Sequence, residues 1–377
     1  MRILWASNYT TNSGYAIQAR LIVPRLIAAG HDVTVFNLTS AVDVEQIVGG
    51  VRLLPVGIDP IGSDLLATYA EEIKADTVIT LVDVWAYAPE VLQRVSAYPW
   101  APIDHYPPPP RVLHSLRGAK RPIAMSRFGY DQLCAAGFDP LYAPLAYDPA
   151  VYRPMDKQRT RAVLGMQADA FIALFVGVND SNPSRKGIGE LLTAWKLFSD
   201  KHPEAVLYMH TTAQAHTTQT PFGGVSIPLL VKTLDIAPDK VKLTPETVYR
   251  RGLSAETMAL LYNAADVLVL PSRGEGFGVP LIEAQACGTP VITTRFAAQE
   301  ELCASGWFVE GFHAWSPFDA FNLQPDPASV EDALEIAHAA RRDPKPKTLA
   351  LELAQMYTIE NVFHRHWLPV LEEIGRG

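Results

Sequence analysis

Two carboxylates, Glu275 and Glu283, stand eight positions apart in a stretch rich in glycine. The apolar run 264–270 before them predicts a buried parallel strand, and Pro280 and Gly288 mark the start and the end of a helix. A strand, a glycine-rich turn and a helix aim backbone N–H groups and the positive end of a helix dipole at an anion. A carboxylate beside a phosphate is best used to accept hydrogen bonds from hydroxyls. The stretch therefore predicts a nucleotide sugar as ligand.

Residues 275–291 read E-G-F-G-V-P-L-I-E-A-Q-A-C-G-T-P-V. This run resembles the signature of the retaining glycosyltransferases of family four, E-G-F-G-x-P-x-x-E-A-x-A-x-G-x-P-V, and every fixed position is filled. The resemblance implies an α/β protein of GT-B type, with two Rossmann-like doubly wound domains facing across a cleft and a C-terminal helix that crosses back to the first domain. It also implies an enzyme that moves a sugar from a nucleotide-diphosphate sugar to an acceptor hydroxyl, with retention and without a metal or another cofactor.

The order of the elements agrees with that fold class, because short apolar runs alternate with helical segments in both halves of the chain. Strands are predicted at 2–7, 31–38, 77–82, 121–125, 171–176, 205–210, 241–243, 267–271 and 290–294, and helices at 15–29, 187–199 and 254–263. Three prolines in 144–154 mark a boundary between the halves. We expect an acceptor domain at 1–148, a donor domain at 149–345 and a terminal helix at 346–377 that packs on the first domain.

Composition narrows the class of protein. The chain has 377 residues, which favours two domains, and its net charge of −8 argues against a general nucleic-acid or membrane binder. No apolar run reaches about twenty residues, the length a membrane-spanning helix needs. The three cysteines, Cys134, Cys287 and Cys303, fit no metal-site spacing. No signal peptide precedes the first predicted strand, so we expect a cytoplasmic protein, either free in solution or peripheral at a membrane.

The resemblance assigns the donor site residue by residue. Lys186, followed by Gly187, matches the cation that neutralises the diphosphate; the family's arginine commonly sits earlier, where this chain has Val178 and Asn179, and Arg185 is the candidate instead. We expect Lys186 at the surface, at the start of a helix. Glu283 would accept hydrogen bonds from the ribose hydroxyls, and Glu275 would face the transferred sugar. The remaining donor contacts are expected from Gly276, Phe277, Gly278 and Val279 in the signature turn, from Gly14 in the first domain, and from His210 as a wall for the base.

The acceptor side is less defined. The family places a histidine at the end of a strand of the first domain, and either Asp104 or His105 takes that place here, with Asp83 as another candidate. Residues 105–130 hold no carboxylate, although the chain is acidic on average. The cations of this stretch are a solvated helix face or the contact surface of an anionic acceptor: Arg111, Arg117, Lys120, Arg121 and Arg127.

Three readings of function remain open from the sequence. The first is a retaining glycosyltransferase with a UDP- or GDP-sugar as donor and a glycan, a lipid, a metabolite or a modified nucleic acid as acceptor. The second is a non-catalytic nucleotide-sugar-binding protein on the same fold. The third is a nucleotide-sugar epimerase.

Overall fold

A computed structural model describes residues 1–39, 44–214 and 223–376, and the chain divides into two compact units. The first unit comprises Met1–Tyr147, Ser316–Ala320 and Tyr357–Gly377, and the second comprises Asp148–Trp315 and Phe321–Met356. The first division falls after Tyr147, one residue before the boundary expected from the prolines. Each unit is built around its own parallel sheet.

The first unit contains an eight-stranded sheet with the order β3-β4-β2-β1-β5-β6-β7-β8. All neighbouring pairs are parallel except β3 with β4. The strands are β1 (Arg2–Ser7), β2 (Asp32–Asn37), β3 (Gln46–Val48), β4 (Val51–Leu54), β5 (Thr77–Leu81), β6 (Ala97–Ala101), β7 (Ile123–Ala124) and β8 (Leu141–Tyr142). The helices before residue 148 are α1 (Gly14–Ala28), α2 (Leu66–Glu72), α3 (Pro89–Gln93), α4 (Pro110–Leu116) and α5 (Arg127–Ala135), with a 3₁₀ turn at Val84–Ala86. Every residue of β5 and β6 is buried, as expected for central strands covered on both faces.

The second unit contains a six-stranded parallel sheet with the order β11-β10-β9-β12-β13-β14, together with a separate antiparallel hairpin, β15-β16. Its strands are β9 (Phe171–Val176), β10 (Ala205–His210), β11 (Val241–Leu243), β12 (Val267–Leu270), β13 (Val291–Thr294), β14 (Trp307–Val309), β15 (Gly311–Trp315) and β16 (Phe321–Pro325). Its helices are α6 (Lys157–Leu164), α7 (Ile188–Lys201), α8 (Ile227–Thr233), α9 (Glu246–Arg251), α10 (Ala255–Ala264), α11 (Val279–Ala286), α12 (Pro327–Ala339) and α13 (Lys345–Gln355), with a 3₁₀ segment at Ala297–Leu302.

The end of the chain returns to the first unit, but not as the single helix expected at 346–377. Helix α13 lies in the second unit, and the returning part begins at Tyr357. It comprises α14 (Ile359–Val362), a π-helical segment (Phe363–Trp367) and α15 (Leu368–Arg376). A backbone bridge pairs Tyr147 with Thr358.

Three fully buried tryptophans explain why the terminus packs on the first unit. The ring of Trp367 lies 5.5 Å from that of Trp5 and 4.8 Å from that of Trp100, measured between centroids. Aromatic pairs at such distances stabilise a core beyond the area they bury. A terminal segment that carries one of these rings is therefore part of the hydrophobic core of the unit.

The carboxyl ends of the parallel strands position the residues that the sequence singles out. Lys186 follows β9, His210 ends β10 and Glu275 follows β12. In a doubly wound sheet this edge is where ligands bind. Within the described residues, no helix combines the length and the apolar character needed to cross a lipid bilayer.

Candidate functional site

Lys186 and Glu275 meet as a buried ion pair at the carboxyl edge of the second sheet. The Lys186 Nζ donates to Glu275 Oε1, and each residue is only 8% exposed. Arg185 Nη1 lies 4.0 Å from the other oxygen, Oε2, of the same carboxylate. The expectation of a surface lysine is therefore wrong: the loop folds inward, because its cation finds a partner 89 positions further along the chain.

A glycine with a left-handed backbone makes this pairing possible. Gly187 has φ +68°, and a Cβ built on it would lie 2.1 Å from the carbonyl oxygen of Pro271. Only glycine tolerates both the conformation and the close approach. The Arg273 N–H also donates to the Arg185 carbonyl at 2.8 Å. The loop after β9 and the loop after β12 are thus fastened to one another beside the ion pair.

The pair has a defined charge state. Burial alone would raise the pKa of Glu275, but Lys186 and Arg185 outweigh burial and hold that pKa below its ordinary value. Burial lowers the pKa of Lys186, and the charge of Glu275 opposes this effect. Glu275 is ionised at neutral pH, so the buried carboxylate faces Lys186 and Arg185, while Arg185 also faces the exposed carboxylate of Asp180.

Glu283 lies in α11, in a different environment. Tyr262 Oη donates to Glu283 Oε2 at 2.8 Å, and Tyr152 is a further hydrogen-bonding partner. Burial raises the pKa of Glu283 to about 7, although both hydrogen bonds act against the rise. The same burial, with the nearby Glu283, raises the pKa of Cys287 to about 12, so this cysteine is an unreactive thiol. The two carboxylates of the signature therefore differ in charge state, one ionised and the other close to its midpoint at neutral pH.

The turn between the two carboxylates leads directly into a helix. Gly278 is the N-cap of α11 with φ +108°, and Pro280 is its second residue. Phe277 is buried, which anchors the turn. Because the first N–H groups of a helix have no carbonyl partner within it, the amides at Gly278 and Val279 are available to a ligand, and their role in binding stays a prediction. Gly276 lies in the same turn.

The departure from the family's arginine position has a structural reason. Asn179 is buried, and its side chain bonds the backbone of a later loop: Oδ1 accepts from Val225 N at 2.8 Å, and Nδ2 donates to Val225 O at 2.7 Å and Thr212 O at 3.1 Å. The side chain at position 179 therefore holds the backbone at Thr212 and Val225, a role that an arginine could not fill with the same contacts. Arg185 supplies the second cation from the other end of the segment and also lies 3.7 Å from Asp180.

His210 lies at the end of β10 beside an aromatic residue. Its Nδ1 is 3.0 Å from Thr244 Oγ1, and its ring centroid is 5.1 Å from that of Tyr249. Burial lowers the pKa of His210, so the imidazole is neutral at physiological pH. A neutral, partly buried ring next to a tyrosine suits a wall for a planar base, and a role for His210 in binding stays a prediction.

In the first unit, Asp104 and His105 form a pair instead of competing for one role. His105 is 7% exposed, and its Nδ1 lies 2.6 Å from Asp104 Oδ1. Its Nε2 is buried and has no hydrogen-bond partner among the described residues. Because a carboxylate only accepts, Nδ1 carries the proton and Nε2 presents a lone pair. A buried nitrogen held in this way can accept a proton or a hydrogen bond from a hydroxyl.

Two other candidates of the first unit follow neighbouring strands, Gly14 after β1 and Asp83 after β5. Tyr15 Oη donates to Asp83 Oδ1 at 2.9 Å, which engages the carboxylate. Gly14 begins α1 after the N-cap Ser13, and a Cβ built on it would meet nothing within 4 Å. Open space at a helix start allows the approach of a ligand, and the binding role of Gly14 stays a prediction.

The cations of residues 105–130 have different surroundings. The Arg111 guanidinium lies 4.3 Å from the ring centroid of Trp85 and 4.1 Å from that of Phe318. Arg121 bonds Asp139, and Arg127 lies 3.8 Å from the ring of Tyr142. Arg117 and Lys120 are exposed at the end of α4. Of the five, only Arg111 belongs to the surroundings of His105, because both contact Phe318.

Two cavities in the described part of the chain are lined by residues other than the buried ion pair. One of about 340 Å³ lies beside Arg2 and Arg52 in the first unit, and one of about 470 Å³ lies beside Cys287 and Trp307 in the second. Neither is lined by Lys186 or Glu275. The assignment of the site therefore rests on convergent charged groups at a strand edge, not on the size of a cavity.

Some of these residues were not apparent from the sequence. Nothing in their local pattern distinguishes Tyr152, Tyr262 and Asn179 from core or loop residues, because their roles depend on contacts with distant parts of the chain. For Asn179 alone, the sequence indicated a special role, because the family's arginine is absent at this position.

Comparison with known proteins agrees with the resemblance. The family model described as glycosyl transferases group 1 matches residues 170–320. A D-inositol 3-phosphate glycosyltransferase of Pseudarthrobacter chlorophenolicus is 28% identical over 234 residues, covering 61% of this chain and 52% of that protein. The corresponding protein of Geodermatophilus obscurus is 33% identical over 188 residues, covering 46% and 38%. This chain thus spans about half or less of the length of these curated relatives.

Solved structures show the same fold over the whole chain. Sucrose-phosphate synthase from Thermosynechococcus elongatus superposes with a TM-score of 0.78 at 20% identity and covers 100% of both chains. HepE from Anabaena, in complex with UDP-glucose, gives 0.67 at 15% identity and covers 99% of this chain and 100% of that one. At these identities the likeness concerns the fold alone. The α/β class with parallel sheets and the GT-B type predicted from the signature are confirmed.

Proposed function

We propose that this chain, which resembles the glycosyl transferases of group 1, transfers a sugar from a nucleotide-diphosphate sugar to a hydroxyl of an acceptor. The observation that carries the proposal is the buried Lys186–Glu275 pair, with Arg185 beside it, at the carboxyl edge of a doubly wound sheet. Burying a charge cluster costs desolvation free energy. That cost favours a functional reason for the presence of these charges at this edge. The curated relatives are named glycosyltransferases, which supports the reaction class.

The donor is held by the second unit in this account. Lys186 and Arg185 neutralise the diphosphate, whose negative charge grows as the bond to the sugar breaks. The amides at Gly278 and Val279 donate to the phosphate or the sugar. Glu283 accepts hydrogen bonds from the ribose hydroxyls, and binding favours its ionised form.

The reaction proceeds with retention in this proposal. The sugar leaves as an oxocarbenium-like species, and the departing phosphate accepts the proton of the attacking hydroxyl on the same face. No protein nucleophile is then required, and preorganised cations replace a metal ion at the diphosphate. Glu275 stays ionised near the developing positive charge of the sugar. The contribution of the chain is positioning and electrostatics.

The acceptor is held by the first unit. The Nε2 atom of His105 accepts a hydrogen bond from a hydroxyl of the acceptor other than the attacking one, and Asp104 keeps the imidazole in the required tautomer and orientation. Arg111 stacks on Trp85 and Phe318, which leaves the edge of its guanidinium available to an anion. We infer that the acceptor carries a phosphate or another anionic group. That the curated relatives are named for an inositol phosphate is consistent with this inference.

The experiment is a turnover assay with UDP-, GDP-, ADP- and TDP-sugars, each with and without inositol 3-phosphate as a probe acceptor. We expect release of a nucleoside diphosphate with one donor class, insensitivity to a chelator, and a product with the anomeric configuration of the donor. Binding of a nucleotide sugar with no turnover would indicate a non-catalytic binding protein, a new nucleotide sugar would indicate an epimerase, and an inverted product would refute retention. Lys232, an exposed lysine of α8, provides a matched control: Lys232→Met should leave turnover unchanged, while Lys186→Met should abolish it.

A further inference from the structure

Two histidines and two glutamates converge at the far end of the helix that begins beside the ion pair. Helix α7 starts after Lys186-Gly187, and His202 is its C-cap. Glu204 follows shortly before β10, while Glu335 and His338 lie three positions apart on α12, which packs against α7. Residues three apart on a helix lie on the same face. All four side chains belong to the second unit and play no part in the proposed transfer.

The four side chains form two hydrogen-bonded pairs, each of one histidine and one glutamate. His338 Nε2 lies 2.8 Å from Glu204 Oε1, and His202 Nε2 lies 2.8 Å from Glu335 Oε2. The two imidazole rings are in contact, with centroids 4.1 Å apart. One ligand atom each from His202, Glu204 and His338 lies within 4.8 Å of the other two. Two nitrogen ligands and one carboxylate oxygen therefore face one small volume, and Glu335 lies beside it through its contact with His202.

We propose that His202, Glu204 and His338, with Glu335 as the fourth ligand, bind a divalent transition-metal ion, for which Zn²⁺ is the best match. Imidazole nitrogen and carboxylate oxygen are ordinary zinc ligands at about 2.0–2.2 Å, and four of them form a tetrahedral site. The ligand atoms of such a site lie about 3.3 Å apart by that geometry. Side-chain rotations, including that of Glu335 from its contact with His202, would bring the four ligand atoms to this separation. Two carboxylates and two neutral imidazoles balance the charge of the ion.

The burial of the ligands suits both fixation and access. The imidazoles are mostly buried, with side-chain exposures of 20% for His202 and 11% for His338, whereas Glu204 at 44% faces solvent. Phe198 packs 4.5 Å from the His202 ring, and Phe171 packs 5.0 Å from the His338 ring, measured between centroids. The aromatic rings fix the orientation of the nitrogen ligands, and the exposed carboxylate provides the entry path that a metal site needs.

Binding of the ion replaces hydrogen bonds that now hold the cluster together. Each Nε2–H that bonds a carboxylate must present its lone pair instead, so the ring proton moves to Nδ1 or is released to solvent. Lys201 Nζ, 3.7 Å from Glu335 Oε1, can remain with Glu331, which it also contacts at 2.5 Å. Arg341 Nη1, 3.4 Å from His338 Nδ1, must move away from that nitrogen. The other bond of this guanidinium, to the His338 carbonyl, can be kept.

The consequence of the site is structural. The ion would fasten the C-terminus of α7 to α12 and so fix the far end of the helix that follows Lys186. A site with four protein ligands is closed and serves stability, whereas catalytic zinc sites keep a position open. Loss of the metal should therefore lower the melting temperature without removing the activity of the folded protein.

The test uses the full chain, stripped with a chelator and then titrated with Zn²⁺ or Co²⁺ alone. We expect one ion per chain by calorimetry, a rise in melting temperature with metal concentration, and the strong visible absorption of tetrahedral Co²⁺. His202→Gln and His338→Gln should each weaken binding at least about tenfold. His114→Gln, at an exposed histidine of α4, is the control and should bind as the unaltered chain does.

Two results would overturn the proposal. One is that the unaltered chain takes up no ion at one equivalent. The other is uptake that is the same in the His202→Gln and His338→Gln variants as in the control, which would place the ion elsewhere. Should a histidine variant fail to fold, Glu204→Gln answers the same question, because its partly exposed side chain makes a milder change. An octahedral Co²⁺ spectrum that no variant alters would likewise refute the site.

Discussion

Breaking the Lys186–Glu275 pair on one side should destabilise the protein more than removing both charges. Deleting one partner of a buried ion pair costs about 3–5 kcal/mol, because the other charge is left buried and uncompensated. Lys186→Met should fall at the lower end, since Arg185 still lies 4.0 Å from the carboxylate. Glu275→Gln leaves Lys186 and Arg185 side by side without their carboxylate, and the burial that lowers the pKa of Lys186 is then no longer opposed by Glu275.

The double variant, Lys186→Met with Glu275→Gln, contains neither charge. It should be less destabilised than either single variant, which requires a coupling energy of about 3 kcal/mol or more, at the upper end of the range found for residues in direct contact. The assay is urea unfolding at pH 7.5 by linear extrapolation, with turnover measured on the same samples. All three variants should lack transfer activity, so stability returns in the double variant while activity does not. Additive losses would refute the reasoning, as would a fully stable Lys186→Met protein.

Four further predictions test other parts of the site. Gly187→Ala should destabilise the second unit more than Gly165→Ala, because a Cβ at position 187 would meet the Pro271 carbonyl. Gly165 is a matched control, with φ +64° and no atom within 4 Å of a new Cβ. Equal free energies of unfolding for the two variants would exclude that contact. The pKa of Glu283 is raised from 4.5 to about 7. Its contribution to the free energy of unfolding, about 3 kcal/mol, is therefore present below pH 4.5 and is lost as the pH rises to 7. Glu283→Gln should lack this pH dependence, and parallel curves of stability against pH for the two proteins would contradict the prediction. His105→Ala should lower turnover strongly with donor affinity unchanged, and Asp104→Asn should lower it less; a loss of donor binding in either would show a different role. Arg111→Gln should raise KM for an anionic acceptor and leave KM for a neutral one unchanged, whereas Arg117→Gln should change neither; a uniform loss would indicate that Arg111 only supports the fold.

The sequence predicted the fold class and the glycine-rich turn before α11 because both depend on local patterns. The buried runs of β9 and β12 and the fixed positions of the signature occupy contiguous stretches, and their meaning survives without tertiary information. Lys186 was found in the same way, through its following glycine. Its burial was missed, because the carboxylate that draws it inward lies 89 residues away.

Other features depend on contacts that one sequence does not display. The choice between Asp104 and His105 could not be made from strand alternation, since the two side chains act as a pair. The cation-rich stretch left open a solvated helix face or a contact surface for an anionic acceptor, and the structure shows Arg121 paired with Asp139 and Arg111 stacked on rings from distant segments. The terminal segment was expected to be one helix; the packing of Trp367 on Trp5 and Trp100 instead requires only the part from Tyr357 onward.

The central claim is that Lys186, Arg185 and the Glu275 turn bind the diphosphate of a nucleotide sugar. The most direct measurement is calorimetric titration of UDP and GDP into the unaltered chain and into the Lys186→Met, Glu275→Gln double variant, after circular dichroism has shown both to be folded. We predict that at least one diphosphate binds the unaltered chain and that the double variant binds it about 100-fold more weakly, a loss of about 2.7 kcal/mol. Equal affinity in the two proteins, or no binding of either diphosphate to the unaltered chain, would contradict the claim.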